Sequence, residues 1–180
     1  MAVQSTPVAL RIKRIDHVAV CVADIDEAIG RYRTLLGITP GVREVVESQH
    51  AEIALLPIGA AGLELVMPRG NASLARFLER RGPGLHHVAI EIEGMDEALA
   101  LLKSLGVPLI DESPRIGARG HKVAFVHPGA TGGVLIELVE SSPAGAQGSP
   151  GSPPSVPNAP GGGPSASRGA RAGVVSPEGF

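Results

Sequence analysis

Ile15-Asp16-His17-Val18-Ala19-Val20 and Leu85-His86-His87-Val88-Ala89-Ile90 are one phrase written twice, 70 residues apart, and that duplication decides the fold. The repeat runs on. Asp26-Glu27-Ala28-Ile29 returns as Asp96-Glu97-Ala98-Leu99 at the same offset, and Leu63-Glu64-Leu65-Val66 returns as Ile136-Glu137-Leu138-Val139 at an offset of 73. A module copied within a chain folds twice into nearly the same shape. Paired about a pseudo-twofold axis, the copies bring equivalent side chains together, His17 with His87 and Glu64 with Glu137. Two imidazoles and two carboxylates in one cavity are a donor set for a divalent metal ion.

Working outward, each half reads as strand, helix, then three strands. Residues 15–22 alternate and favour a strand, with Ile15, His17 and Ala19 expected on one face and Asp16, Val18 and Val20 on the other. Asp24 with Glu27 three positions on marks a helix start; Ile25, Ala28, Ile29, Tyr32, Leu35 and Leu36 fall at helical spacing, and Gly37 ends the run. Strands are expected near 42–48, 51–57 and 61–67, with a turn at 59–62, and a short helix after Ser73 bridges the halves. The second half predicts a strand at 85–92, a helix at 95–105 stopped by Gly106, and strands near 107–112, 121–127 and 132–139. The fold class is α+β: two tandem βαβββ modules, about 14–70 and 84–140.

Composition bounds the rest. Residues 141–180 hold nine Gly, eight Pro and eight Ser, too little apolar surface to offset the entropy of ordering, so a disordered tail is expected there and a flexible leader at 1–10, around a domain at 11–140. That domain carries 14 basic and 17 acidic residues and three aromatics, Tyr32, Phe77 and Phe125, which offers neither an electrostatic footprint nor stacking platforms for nucleic acid. No apolar run approaches a membrane span or a signal peptide, and the cytoplasm is the default compartment. Cys21, the single cysteine, sits in an apolar alternating run and reads as buried packing rather than a reactive thiol. No glycine stretch has the setting of a phosphate loop, and no serine or cysteine that of a nucleophile elbow.

Taken singly, a strand histidine is more often hydrogen-bonded structure than a ligand, and His50, His121 and His127 are read that way. Glu64 or Glu137 alone would suit the wet face of a sheet. The fourfold recurrence is what solvent exposure does not explain. A carboxylate in the middle of an apolar strand is costly to bury unless something compensates it, and one ion compensates all four groups. Such an ion leaves two adjacent positions open for a substrate with two oxygens, and its charge favours proton removal next to a carbonyl by a protein carboxylate. Ligand type alone leaves Co²⁺, Mn²⁺, Zn²⁺, Fe²⁺ and Mg²⁺ open.

Four local motifs then fall in order: Arg81-Gly82-Pro83-Gly84-Leu85-His86-His87-Val88-Ala89, Asp111-Glu112-Ser113-Pro114-Arg115-Ile116-Gly117-Ala118, Lys122-Val123-Ala124-Phe125-Val126-His127-Pro128, and Thr131-Gly132-Gly133-Val134-Leu135-Ile136-Glu137-Leu138. Over about 14–140 the chain resembles the vicinal oxygen chelate superfamily, and within it the methylmalonyl-CoA epimerase family. The resemblance implies a curved, half-open mixed sheet around a metal site. It also implies an acyl-CoA substrate epimerised at C2, a homodimer, and His17, Glu64, His87 and Glu137 as ligands, with Glu137 also one of two acid/base groups. The second such group falls in Glu47-Ser48-Gln49-His50-Ala51-Glu52, where Glu52 is the first choice and Glu47 the second; a one-residue shift in register would turn Glu52 away. Arg119, His121 and Lys122 are candidate phosphate contacts, with a solvated basic turn as the alternative. The rival readings are a glyoxalase-type enzyme acting on a glutathione hemithioacetal, a ring-cleaving dioxygenase, and a metal-free binding protein of the same fold.

Overall fold

A computed structural model describes residues 10–142. The expected leader and tail lie outside these residues apart from Leu10, Ser141 and Ser142. The elements are β1 (Arg11–Cys21), α1 (Ile25–Leu36), β2 (Val42–Val46), β3 (Ala51–Ile58), β4 (Ala61–Pro68), α2 (Ala72–Arg81), β5 (Gly84–Glu93), α3 (Met95–Ser104), β6 (Arg115–Ile116), β7 (Lys122–Val126) and β8 (Ile136–Glu140). All eight strands form one curled mixed sheet in the order β2-β3-β4-β1-β5-β8-β7-β6, the two-module α+β architecture that the repeat predicts.

The duplication is visible in the register. At the centre β1 and β5 run antiparallel, with His17 opposite Ala89 and Ala19 opposite His87. On the flanks β4 runs parallel to β1 with Glu64 opposite Ala19, and β8 runs parallel to β5 with Glu137 opposite Ala89. The twofold relation therefore carries each histidine and each glutamate onto its counterpart. Alanine, opposite every one of the four, leaves the inner face open in front of them.

Helices α1 and α3 cover the outer face, while Leu74 of α2 packs on the inner one beside Ala19 and Cys21. Asp24 caps α1 by accepting the Glu27 N–H at 2.9 Å, and Gly37 ends it in the left-handed region at φ 68°. Ile25 and Ala28 pack against Ala54, Leu56 and Leu65. Leu35 and Leu36 are exposed, so the apolar stripe read from the sequence stops a turn before the helix does. In the other half α3 buries Met95, Ala98, Leu99 and Leu102 against Ile92, Ala124 and Leu138. Its first N–H groups are satisfied from a distance, since Glu140 Oε1 on β8 accepts from Gly94 at 2.8 Å and Met95 at 3.3 Å. Each large aliphatic side chain so buried contributes about 1.5–3 kcal/mol of transfer free energy.

Four expectations are corrected. Ile15 does not share a face with His17: Ile15 pairs with Ile90 and His17 with Ala89, so Asp16 is an extra residue that bulges β1 and resets the alternation, leaving Ile15 53% exposed. Residues 107–112 are not a strand, because the N–H groups of Ile110 and Asp111 both converge on Phe125 O while Asp111 Oδ2 takes the Phe125 N–H. Only Leu109 bridges Val126 there, and the strand shrinks to Arg115–Ile116. The last strand starts at Ile136 rather than 132, since Gly132 and Gly133 take φ of 71° and 102° and turn the chain. The bridging helix also begins earlier than expected, at Ala72, because the Asn71 side chain accepts from Ser73 and Leu74 and caps it.

Candidate metal centre

Each of the four recurring residues reaches the inner face from its own strand: His17 from β1, Glu64 from β4, His87 from β5 and Glu137 from β8. All are buried, between 4% and 7% exposed. The two imidazole Nε2 atoms stand 3.3 Å apart. Glu137 Oε2 lies 3.3 Å from both, and Glu64 Oε1 lies 3.7 Å from His17 Nε2. Donor atoms of His17, Glu64 and His87 all fall within 4.8 Å of one another. Adjacent ligands of an octahedral ion with bonds of about 2.1 Å sit about 3 Å apart, so His17, Glu64 and His87 suit a divalent cation in spacing and donor type, while Glu137 adjoins both imidazoles without belonging to that threefold cluster. The cavity in front, about 20 Å³, has room for one water-sized sphere or one ion; Gln49, Arg119 and His121 complete its wall. A larger hollow near Leu10, Glu93 and Leu101, about 190 Å³, gathers no imidazole or thiol.

The charges of the four groups constrain one another. Burial opposes a charged His17, yet the Glu64 carboxylate and hydrogen bonds to Asp16 and Glu137 outweigh it and hold the pKa up at about 10. Burial likewise pushes against an ionised Glu137, but the two imidazoles bring its carboxyl well below the ordinary range. Glu64 goes the other way, raised by burial, with the nearby Glu137 charge adding to it. Two carboxyls in one pocket thus have opposed tendencies.

The bulge that displaces Ile15 brings Asp16 beside His17, with Asp16 Oδ2 2.9 Å from Nδ1. On β5, Ala19 and Val20 pair with His87 and Leu85, so His86 is the bulged residue there, its Nδ1 2.9 Å from His87 Nδ1. Burial and the neighbouring His87 lower the His86 pKa to about 4, which keeps it neutral. A T-shaped contact of His87 with Phe125, ring centres 5.2 Å apart, closes the other flank.

With this geometry the chain can be set beside known proteins. The family model described as "Glyoxalase/Bleomycin resistance protein/Dioxygenase superfamily" matches residues 16–125. The chain belongs to this superfamily. Members typically bind a metal ion. The mitochondrial methylmalonyl-CoA epimerase of Bos taurus is 35% identical over 130 residues, 71% of this chain and 74% of that one. A crystal structure of methylmalonyl-CoA epimerase from Mycobacterium tuberculosis superposes with a TM-score of 0.72 at 36% identity, covering 78% of this chain and 96% of the other. A structure of methylmalonyl-CoA epimerase in complex with methylmalonyl-CoA and NH4⁺ gives a TM-score of 0.70 at 32% identity, covering 74% and 97%.

As the superfamily fold is laid out here, Glu52 is not at the centre. On β3 it pairs with Met67, and Leu55 pairs with Glu64, so strand parity puts Glu52 on the outer face, beside α1. There Arg43 Nε and Arg69 Nε each donate to it at 2.9 Å and hold its carboxyl below the usual range. Glu47 is exposed in a 3-10 turn. From that stretch Gln49 reaches the cavity wall, and a strand earlier Glu44, opposite Ile53 on β2, lies on the inner face. Of the candidate phosphate contacts, Arg119 is bound to Asp16, Lys122 pairs with Asp96 and Glu140, and His121 is buried with Nδ1 accepting from Ser142. Cys21 is fully buried, its thiol pushed up to about 11. Among the described residues, no helix is long and apolar enough to cross a membrane.

Glu52→Gln is therefore expected to leave turnover within about two-fold, an interval far below the effect of losing a general base. Glu52→Gln should instead lower the unfolding temperature by a few degrees. A depressed carboxyl pKa contributes stability above its unfolded value and loses it as pH falls through the folded one, so the gap between wild type and Glu52→Gln should shrink on acidification. Paired thermal melts at neutral and acid pH check this, and a variant that melts normally but has lost activity would place Glu52 back in the mechanism.

Proposed function

We propose that this chain is a metal-dependent epimerase that interconverts (R)- and (S)-methylmalonyl-CoA by removing and returning the proton at C2. The observation that carries the reading is the convergence of both Nε2 atoms on Glu137 Oε2, 3.3 Å from each, in a chain a third identical to proteins named for that reaction. His17, Glu64, His87 and Glu137 would hold the ion, and Co²⁺, Mn²⁺, Zn²⁺, Fe²⁺ or Mg²⁺ all suit these donors. A cation bound there supplies the positive charge that makes hydrogen next to a thioester carbonyl acidic.

The rest is the work of the protein. Glu137, ionised and anchored between two imidazoles, presents a carboxylate oxygen to the cavity and removes the C2 proton. Glu64 faces the same space from the opposite module and would serve as a ligand beside the two imidazoles; return of the proton on the other face of C2 is assigned to Glu47, two residues before Gln49 of the cavity wall. The alanines at 19 and 89, both fully buried, leave the inner face smooth between Glu64 and Glu137.

Proton NMR with methylmalonyl-CoA in D₂O tests the proposal: the C2 proton signal should vanish with the loaded protein and persist with a chelator. Methylglyoxal with glutathione is the comparison. Conversion of that hemithioacetal with no C2 exchange would make the protein a glyoxalase-type enzyme, and inactivity toward both, with no bound metal, would make it a binding protein.

A further inference from the structure

We infer that Arg119 is a positioning residue for the ion site, acting through Asp16 on His17; the inference rests on the metal-site reading above. Asp16 is the residue added by the β1 bulge, and its side chain is 2% exposed. Its Oδ2 faces His17 Nδ1 at 2.9 Å and accepts from Arg119 Nη2 at 2.8 Å. Its Oδ1 accepts from Arg14 Nη2 at 2.9 Å, and Arg14 is braced in turn by Glu91 at 2.6 Å. A carboxylate gripped by guanidinium groups on both oxygens cannot swing away. The Nδ1–H of His17 is thereby committed to Asp16, and Nε2 is turned toward Glu64 and Glu137, so that it is the nitrogen a cation would take in place of a proton.

The second copy has no such arrangement. Its equivalent of Asp16 is His86, an imidazole facing His87 Nδ1. The two ligand histidines are held unequally, and the tighter hold on His17 comes from the other half of the chain. Arg119 lies between β6 and β7 in left-handed backbone, φ 57°, unusual for a residue with a side chain. Glu44 Oε1 on β2 takes its N–H at 2.7 Å, and Ser48 Oγ donates to Ile116 O at 2.6 Å. These contacts join the two end strands of the sheet and aim the guanidinium at Asp16.

The test is a double-mutant cycle read by calorimetric Zn²⁺ affinity on the full chain. Arg119→Ala should weaken binding about 10-fold and Asp16→Asn about 10- to 100-fold. In the Asp16→Asn background, Arg119→Ala should add less than about two-fold, because the path is already cut. Arg119→Lys, which keeps one charged donor, should recover part of the loss. The Nδ1–H proton resonance of His17 in the Zn²⁺-loaded protein should be slow to exchange in wild type and fast in Arg119→Ala. An Arg119→Ala variant that binds Zn²⁺ as wild type does, or one whose loss is undiminished when Asp16 is already replaced, overturns the inference. Absence of Zn²⁺ binding in wild type would instead sink the site reading itself.

Discussion

Glu137→Gln is expected to stop exchange of the C2 proton of methylmalonyl-CoA, lowering turnover by about 10²- to 10⁴-fold, the usual worth of a positioned general base. The amide keeps an oxygen where the carboxylate oxygen stands, 3.3 Å from both imidazoles, so a cation can still bind while the basic group is gone. The matching change at the symmetry-related position should behave differently. Glu64→Gln also preserves an oxygen, but Glu64 already has a carboxyl raised by burial, so the loss of charge there is the smaller perturbation. Deuterium incorporation from D₂O, followed separately from each epimer, gives the comparison; equal losses for the two variants would contradict the assignment of Glu137 as the base.

His17→Ala or His87→Ala should have an effect of the same order by another route. Each deletes a donor with no substitute within reach, and bound metal measured by plasma emission should fall from one per chain to near zero. Affinity should fall by more than the about 10- to 100-fold expected for losing a supporting partner. With the site unfilled, two carboxyls and one imidazole remain buried together, and activity should be lost even with excess metal. A His87→Ala protein that retained full metal would remove that residue from the ligand set.

Much of this site is legible in the sequence because a duplication turns a three-dimensional coincidence into a one-dimensional one. His17 and His87, or Glu64 and Glu137, need no structure to be paired; equal offsets suffice. The α1 start at Asp24 and stop at Gly37 are equally readable, since both depend on local chemistry. What the sequence hides is anything set by an extra or missing residue in a ladder. The Asp16 bulge changes which neighbours share a face with His17, and no residue type announces it. The same blindness to register gave Glu52 a place in the mechanism: β3 parity against β4 turns it to the outer face, where Arg43 and Arg69 take its charge. Arg119 reads as an ordinary basic residue in a glycine-rich turn because its partner, Asp16, is 103 positions away. The asparagine cap of α2 is the contrary case, a local signal at Asn71, two positions before Ser73.

The central antiparallel pair, with His17 facing Ala89 and Ala19 facing His87, makes each half supply one imidazole and one carboxylate. If a cation binds there as proposed, it would bridge the two halves already joined by the β1–β5 pairing. Thermodynamic linkage would then give that cation a second role as a fastener: at free metal about 100 times Kd it would add about 2.7 kcal/mol to the folded state, and both repeats are expected to melt together when loaded.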